Sequence, residues 1–381
     1  MNETKNIKLD EAWSHRPRPN LKGLVLGDRD VWGAAPASRA QAAEPKALRI
    51  LHVAFCDGVS GSSRYICDLS DRQVKGGHVV AVALPRRGAG LSIHEGLANQ
   101  VEVLPALSRP HVFGLARALR TFRPDIVHLH DGRGPRALRW LPRRPPSVAT
   151  LHLGFKKAMA AVDGVVRIAP WQEVGHYRGL VADAPNWRPA AQPVSPGRSE
   201  DLRRLIGAGP DQFVIGCIGR LHPAKGPQMV LDAFQRLDWP NAVLAFIGDG
   251  PLRAELEAQA GDDTRVRFVG FRADIDAWYA AADAVVAASL EEQFYLVLLE
   301  AMSAGLPLAA SSCQGSLATL SGQPVPLFTP GDSEGLAAIL QGWAASPPAR
   351  RTYDLARFDP ARSVASIEAL YRQAMAKRAQ A

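Results

Sequence analysis

Two glutamates, Glu292 and Glu300, bracket an apolar run in the C-terminal third of the chain. Burying a carboxylate is costly unless a partner pairs with it, so acids beside such a run indicate a defined polar site. A helix over residues 294–305 would place Glu292 in the preceding loop and Glu300 about two turns further on. The first-turn amides, near Tyr295 and Leu296, would be unpaired and would form a positive helix end suited to phosphate oxygens.

These two acids allow two interpretations. As acceptors of hydrogen bonds, Glu292 would bind the hydroxyls of a sugar and Glu300 those of a ribose, on either side of the helix start. Alternatively, Glu292 is a surface acid and Glu300 is a helix acid paired with a basic side chain. The adjacent Glu291 is interpreted in this second way.

A second candidate segment is the loop GRLHPAKG, residues 219–226, which follows a predicted buried strand. Two cations in this loop, Arg220 and Lys225, suit a diphosphate, because arginine offers a fork of donors and lysine a mobile point charge. A solvated surface loop is the alternative interpretation of the local pattern. His222 is interpreted as a bystander.

Alternating strands and helices must position these residues. Residues 48–55 and 79–85 are predicted strands around a helix, which is a βαβ unit, and the pattern continues to residue 169. Four prolines then interrupt residues 184–197, and the same alternation runs from residue 213 to 340. The alternation predicts two doubly wound α/β domains in tandem, with ligands in the cleft between them. The predicted units are a flexible extension (1–46), a first domain (47–192 with a C-terminal helix over 361–381) and a second domain (193–360).

Charge is unevenly distributed along the 381 residues. Residues 1–195 carry 28 Lys and Arg against 16 Asp and Glu, whereas residues 196–381 carry 17 against 21. The excess of basic residues in the first half favours an acidic partner for it, either an anionic membrane surface or a phosphorylated or acidic acceptor. A plain arginine-rich surface is the alternative. The densest cluster comprises Arg133, Arg136, Arg139, Arg143 and Arg144. Nucleic acid is disfavoured, because aromatic residues do not alternate with the basic ones.

Targeting signals are weak. No apolar run approaches the ~18 residues of a membrane-spanning helix, and charged residues interrupt the N-terminus too often for a signal peptide. The four cysteines form no CxxC pair, which is typical of reduced thiols. We therefore expect a cytoplasmic protein, with peripheral association at the inner face of the cytoplasmic membrane.

Four segments in this order and spacing resemble one family: GRLHPAKG, FIGDGP, VRFVGF and EQFYLVLLEAMSAGLP. They are similar to the C-terminal domain of the retaining nucleotide-sugar glycosyltransferases of family four. The resemblance is dense from about residue 213 to 332 and weaker in the first half, through PDIVHLHD and the strand bearing His152. It implies the GT-B fold, in which two Rossmann-like domains face each other across a cleft, an acceptor on the first and a nucleotide-sugar donor on the second.

The resemblance also implies roles for single residues. Arg220 and Lys225 would bind the donor phosphates, Glu292 the donor sugar and Glu300 the ribose. His130, at a strand end, would face the transferred sugar. These implied catalytic residues are His130, Arg220, Lys225 and Glu292, and the implied donor-binding residues are Gly61, Gly219, Arg220, Lys225, Gly248, Phe271, Arg272, Glu292, Phe294, Tyr295, Leu296 and Glu300.

Neither a metal nor another cofactor is implied, since the nucleotide sugar is a co-substrate. His128 shares a strand face with His130, but two histidines without a carboxylate partner make a weak metal site. Two departures from the family pattern concern the sugar: Ser60 precedes Gly61 where the family usually has a glycine pair, and Gln293 stands where glycine is common.

Two other classes of function stay open at this point. A GT-B-like nucleotide-sugar epimerase would act on the donor alone, and a non-catalytic protein would bind the nucleotide without turnover. A dinucleotide oxidoreductase is disfavoured, because no GxGxxG follows either leading strand.

Overall fold

The computed structural model describes residues 46–55, 61–85, 93–107, 111–141, 144–188 and 191–380. The predicted N-terminal extension, residues 1–46, therefore lies almost wholly outside the described residues, as do Ser60 and Arg143. Among the described helices, none combines the length and the apolar composition needed to cross a bilayer.

The first half of the described chain forms a seven-stranded parallel sheet in the order β3-β2-β1-β4-β5-β6-β7. Its strands are β1 (Arg49–Val53), β2 (Val79–Pro85), β3 (Glu102–Leu107), β4 (Ile126–Leu129), β5 (Ser147–Thr150), β6 (Gly164–Arg167) and β7 (Leu180–Asp183). Its helices are α1 (Gly61–Lys75), α2 (His111–Phe122) and α3 (Arg133–Leu138). Strands β1 and β4 are wholly buried apart from Arg49, as expected for a sheet covered on both faces.

The second half forms a six-stranded parallel sheet in the order β10-β9-β8-β11-β12-β13. Its strands are β8 (Phe213–Ile218), β9 (Ala242–Ile247), β10 (Val266–Gly270), β11 (Ala284–Ala287), β12 (Leu308–Ser311) and β13 (Leu327–Phe328). The remaining helices are α4 (Arg198–Leu205), α5 (Pro227–Gln235), α6 (Arg253–Ala260), α7 (Ile275–Ala281), α8 (Leu296–Ser303), α9 (Gln314–Thr319), α10 (Ser333–Ala345) and α11 (Pro360–Ala379).

The last helix, α11, packs against the first sheet although it follows the second in sequence. Asp359 caps its N-terminus by accepting a hydrogen bond from the Ala361 amide, and Pro360 occupies its first turn. Ile367 and Tyr371 are fully buried in the core of the first domain. The predicted return of this helix to the first domain is therefore present in the structure.

Each sheet has one point where the strand order reverses. In the first sheet this point lies between β1 and β4, and in the second it lies between β8 and β11. Ligands of doubly wound sheets bind beyond the carboxyl ends of the strands at such points. The loops that follow β4, β8 and β11 carry His130, Arg220 and Glu292 respectively, so the fold positions these three residues where a ligand is expected.

Several helix and strand ends differ from the sequence-based expectation. The predicted helix over 133–141 ends at Leu138, and the predicted strand over 147–153 ends at Thr150. The helix predicted to begin at Phe294 begins at Leu296 instead. The apolar run continues beyond the element in each case: Phe294 and Tyr295 are buried in the loop before α8, whereas Trp140 and Leu153 are exposed. Hydrophobicity alone therefore overestimates the length of the element.

Candidate functional site

A cleft of about 820 Å³ lies between the two sheets and is lined by loops from both. All the residues that the sequence analysis assigns to the site line this cleft, from Gly61 and His130 on one side to Glu300 on the other. The structure thus brings together side chains that lie more than 200 positions apart in sequence. Their roles in binding and catalysis stay predictions.

Two glycines shape the loop that carries Arg220. Gly219 has φ of 139° and Gly248 has φ of 146°, values that side-chain-bearing residues rarely adopt. A Cβ on Gly248 would lie 1.9 Å from the carbonyl oxygen of Gly219, so the two backbones can meet only without side chains. This close approach holds Arg220 at the carboxyl end of β8, facing the cleft.

Lys225 and Glu292 are in contact on the side of the cleft that the second domain forms. The Lys225 ammonium contacts the Glu292 carboxylate directly, and Ser289 Oγ donates to the same carboxylate oxygen at 3.1 Å. Lys225 Nζ also lies 5.6 Å from the centre of the Tyr295 ring. Gly315 abuts Glu292, because a Cβ there would lie 2.5 Å from Glu292 Cβ. One bound group could therefore contact this ammonium and this carboxylate together.

The start of α8 corrects one prediction. The amide of Tyr295 is not free, because it donates to Thr319 Oγ1 at 3.3 Å, so the prediction of an unpaired amide there was wrong. The first-turn amides are those of Leu296 and Val297, which both line the cleft. Phe294 serves the core, with its ring edge-on to Phe358 at 5.7 Å between centres.

Glu300 is almost fully buried, at 6% exposure. Its carboxylate accepts a hydrogen bond from Tyr279 Oη at 2.7 Å, and Arg64 Nη1 of the first domain lies 3.2 Å away. Burial raises the pKa of Glu300, while Tyr279 and Arg64 favour its charged form. The pairing with a basic side chain, which the sequence left open for Glu300, is present, and the basic residue comes from the opposite domain.

The turn after β10 presents an aromatic face. Phe271 is 55% exposed, which is unusual for so large an apolar side chain, and it lines the cleft. The Arg272 guanidinium lies 5.9 Å from the centre of the Trp278 ring. Arg272 Nε is buried and has no hydrogen-bond partner among the described residues. These features suit a planar, hydrogen-bonding ligand at this end of the cleft.

Histidines line the other wall. His130 is 4% exposed, and its ring nitrogens lie 2.9 Å from His52 Nδ1 and 3.2 Å from His152 Nε2. Burial lowers the pKa of His52 and of His152 to about 4, and that of His130 well below its ordinary value. At neutral pH these rings are therefore uncharged.

Three of the buried histidines, His52, His128 and His130, lie close enough to share a metal ion. The ring nitrogens of His128 are, however, engaged by Tyr371 Oη at 2.5 Å and Thr150 Oγ1 at 2.7 Å. His52 and His130 bond to each other. The arrangement satisfies these nitrogens by hydrogen bonding, which favours a polar network over a cation site.

Gln293, one of the departures from the family pattern, reaches the opposite domain. Its Oε1 accepts a hydrogen bond from Gln172 Nε2 at 3.2 Å. Gln172 is itself fixed, since its amide nitrogen also donates to the Leu151 carbonyl at 2.6 Å and its oxygen accepts from the Ile168 amide at 2.8 Å. The larger side chain at position 293 therefore contributes to the contact between domains.

Several residues of the site are not predicted from the sequence, among them Arg64, Gln172, His52, Gly315 and Thr319. Each acts through a partner that is distant in sequence; Arg64 and Glu300, for example, are 236 positions apart. Neither spacing nor local pattern signals such pairs. Two features of the sequence point towards them: a histidine at position 52 within a predicted buried strand, and a charged residue, Arg64, near the start of the next helix.

Two family models match the chain, one on each half. The model described as Glycosyltransferase Family 4 matches residues 59–208, and the model described as Glycosyl transferases group 1 matches residues 212–345. Together they cover both sheets of the structure except strand β1.

Individual proteins give the same picture. The lipopolysaccharide core biosynthesis glycosyltransferase LpsD of Rhizobium meliloti is 28% identical over 327 residues, which are 80% of this chain and 90% of that protein. The lipopolysaccharide core biosynthesis mannosyltransferase LpsB of the same organism is 34% identical over 122 residues, only 29% of this chain and 34% of that protein. HepE of Anabaena, solved in complex with UDP-glucose, is 22% identical with a TM-score of 0.65, covering 88% of this chain and 100% of that one. This structural likeness confirms the predicted fold class.

Proposed function

Because this chain belongs to the glycosyltransferases of group 1 and family 4, we propose that it transfers a sugar from a nucleoside-diphosphate sugar to an acceptor hydroxyl. The proposed donor is a UDP-sugar, with a donor of the GDP-mannose type as second choice. HepE, which shares the fold, was solved with UDP and with UDP-glucose, and this supports the choice. The proposed acceptor is a glycan or glycolipid of lipopolysaccharide or another envelope polysaccharide, as the descriptions of LpsD and LpsB suggest.

One observation carries this proposal: the cationic Lys225 and the acidic Glu292 touch beside the start of α8. A sugar diphosphate offers phosphate oxygens to a cation and hydroxyl donors to a carboxylate, a few ångströms apart. Arg220 and the amides of Leu296 and Val297 add donors for the phosphates on the same wall. Phe271 and Arg272 lie at the end proposed for the nucleobase.

The proposed catalysis is electrostatic. As the bond between the sugar and the diphosphate breaks, negative charge develops on the leaving oxygen. Arg220, Lys225 and the start of α8 would stabilise this charge from fixed positions, which is the largest single contribution that many active sites make. These donors would act without a metal ion or another cofactor.

We propose that the anomeric configuration is retained. The acceptor oxygen would bond to the anomeric carbon on the face that the diphosphate leaves, while the carbon–oxygen bond to the diphosphate breaks. The proton of the acceptor hydroxyl would pass to a diphosphate oxygen. Glu292 would orient the sugar and form no covalent bond, and His130 would lie beside the transferred sugar on the opposite wall.

We propose that the first domain also binds an anionic membrane surface. Three large apolar side chains stand exposed there: Phe113 at 70%, Trp140 at 75% and Leu153 at 73%. Phe113 belongs to α2 and Trp140 to the turn after α3, two helices that pack together, and Leu153 belongs to the loop after β5. Exposed basic residues lie on the same two helices, in the turn after α3 and in the same loop, and we name the whole set the basic apolar face: Phe113, Arg117, Arg120, Arg136, Arg139, Trp140, Leu153 and Lys156. Exposed apolar side chains together with cations suit a peripheral enzyme at an anionic bilayer.

A nucleotide panel tests the donor site. UDP, GDP, ADP and CMP are added to the protein with and without magnesium, and thermal unfolding is followed. One diphosphate, UDP in the first instance, should raise the melting temperature without magnesium. No shift with any nucleotide would contradict the proposal.

Incubation with the corresponding nucleotide sugar, with and without a lipopolysaccharide-core acceptor, then separates the functions. Transfer that requires the acceptor supports the proposal. An isomerised sugar without acceptor would indicate an epimerase, and binding without turnover would indicate a non-catalytic protein.

A further inference from the structure

A chain of hydrogen bonds runs from the cleft into the core of the first domain. His152 Nε2 lies 3.2 Å from His130 Nδ1, and His130 Nε2 lies 2.9 Å from His52 Nδ1. His52 Nε2 lies 2.7 Å from Oε1 of Gln73, a residue on the buried face of helix α1. Three imidazoles are thus joined end to end, each through both of its ring nitrogens except His152, which ends the chain at the cleft.

Gln73 also begins a second arm. Its Nε2 donates to Tyr371 Oη at 3.2 Å, and Tyr371 Oη lies 2.5 Å from His128 Nδ1. His128 Nε2 in turn lies 2.7 Å from Thr150 Oγ1. Gln73, Tyr371 and His128 are fully buried, so water does not compete for their hydrogen bonds.

The direction of the hydrogen bonds follows from Gln73. The Gln73 side chain is oriented with its oxygen towards His52 and its nitrogen towards Tyr371. In this orientation the oxygen accepts from His52, so His52 carries its proton on Nε2 and Nδ1 is a lone pair. His130 must then donate from Nε2 to that lone pair and accept at Nδ1, and His152 must donate from Nε2. The rings are neutral at pH 7, since burial lowers the pKa of His52 to about 4 and that of His130 well below its ordinary value.

The second arm takes its direction from the same orientation of Gln73. The Gln73 amide nitrogen gives a proton to Tyr371 Oη, so the tyrosine hydroxyl is free to donate to His128 Nδ1. His128 then carries its proton on Nε2 and donates to Thr150 Oγ1. All six hydrogen bonds of the two arms therefore run the same way, with no donor facing a donor.

We propose that Gln73 is a positioning residue that sets the tautomers of His52, His130 and His152, so that His152 Nδ1 offers a lone pair to a hydroxyl of the bound sugar. Both ring nitrogens of His130 are used inside the chain, so His130 acts through His152. Among the described residues, the structure records no hydrogen-bond partner for the His152 ring other than His130. The role in sugar binding rests on the proposed function, whereas the tautomers do not.

Nitrogen NMR of the ¹⁵N-histidine-labelled full chain tests the tautomers without a ligand. At pH 7, His52, His128, His130 and His152 should each show a protonated Nε2 and an unprotonated Nδ1, assigned by single histidine substitutions. Protonation on Nδ1 in the His52, His130 and His152 rings would mean that the chain runs the opposite way and would overturn the proposal. Signals averaged between the two tautomers would overturn it as well, and so would coordination of added zinc by one of these rings.

Kinetics test the link to the sugar. His152→Ala should lower kcat/KM for UDP-glucose, or for whichever nucleotide sugar of the panel is turned over, by about tenfold, as the loss of one hydrogen bond predicts. The Kd of free UDP or the matching diphosphate should change less than about twofold, because the ring faces the sugar. His152→Asn keeps an acceptor oxygen and should recover part of the loss.

Gln73→Met, which keeps the length but removes the acceptor, should reproduce the kinetic defect of His152→Ala and mix the histidine tautomers. Normal kinetics in His152→Ala would overturn the role in sugar binding. If the wild-type chain turns over no nucleotide sugar, the proposed function fails, and the NMR result still decides the tautomers.

Discussion

Arg64 and Glu300 form an ion pair across the cleft, with Arg64 Nη1 3.2 Å from the Glu300 carboxylate. Arg64 lies on α1 of the first domain and Glu300 on α8 of the second. Their helices also meet at the tips, since a Cβ on Gly61 would lie 3.1 Å from Leu296 Cδ1. The residue proposed to bind the ribose is therefore also a contact that holds the domains together.

This pair should contribute measurable coupling. Glu300 is buried while Arg64 is 39% exposed, so solvent screens the interaction in part, and we expect a coupling free energy of about 1 kcal/mol. A double-mutant cycle of Arg64→Met and Glu300→Gln in thermal or urea unfolding measures it. The control is the exposed pair of Asp232, in α5, and Arg236, which directly follows that helix. The coupling free energy of this pair should be about 0.3–0.5 kcal/mol. Equal couplings in the two cycles would contradict the expectation.

Lys225 should matter for turnover more than for folding. Lys225→Ala removes a cation from the proposed diphosphate site and leaves Glu292 without its ammonium partner. We expect kcat with the accepted nucleotide sugar to fall by about 10²–10³-fold, as for the loss of other transition-state donors. Arg236→Ala, which removes an exposed cation of the same domain, is the control and should be close to wild type. A loss of less than threefold in Lys225→Ala would remove this residue from the mechanism.

The sequence predicts more of the site residues in the second domain than in the first. In the second domain, Arg220, Lys225, Glu292 and Glu300 follow strand ends or lie on one helix, so local pattern locates them. The amide of Tyr295 shows where this stops, because its partner Thr319 lies on another helix. Hydrophobic spacing does not report a hydrogen bond between the residue before one helix and the end of another, because the two meet only after folding.

The first domain illustrates a second limit. His128 lies in β4 and His130 directly after that strand, which the sequence shows, but the partners of His130 come from β1 (His52) and from the loop after β5 (His152). His52 pairs in register with His128 only because β1 lies beside β4. The order of strands in a parallel sheet depends on crossovers and long-range packing, and no local pattern encodes it.

Gln293 should act as part of the domain contact. Gln293→Leu and Gln172→Leu each remove the same interdomain hydrogen bond, so each should raise KM for the nucleotide sugar, and the double variant should add little. Gln293→Glu keeps an acceptor for the Gln172 amide and should stay near wild type. Additive effects of the two leucine variants would show that Gln293 acts separately, for example on the sugar.

The basic apolar face should bind anionic bilayers. Sedimentation with vesicles of phosphatidylglycerol should carry the protein down at low salt, whereas vesicles of phosphatidylcholine should not. Arg136→Glu with Arg139→Glu should weaken binding by at least about tenfold, since each basic residue near an anionic surface contributes about 1 kcal/mol. Arg236→Glu with Arg253→Glu, on the other domain, is the matched control. Binding that is indifferent to salt and to lipid charge would refute this interface.

Acid should destabilise the fold through the buried histidines. The pKa of His52 is lowered from 6.5 to about 4 by burial, so the unfolded chain binds its proton more readily than the folded one. Above pH 6.5 the ring is neutral in both states and costs no stability. As the pH falls towards about 4, the unfolded chain takes up the proton first, and the folded state loses about 3 kcal/mol of stability through this one ring. The free energy of unfolding, measured in urea at pH 7.5, 6.5, 5.5 and 4.5, should therefore fall steeply below pH 6.5. His52→Gln should flatten that fall, while His176→Gln, at an exposed position, should leave it unchanged. A pH dependence identical in wild type and His52→Gln would show that this ring does not account for it.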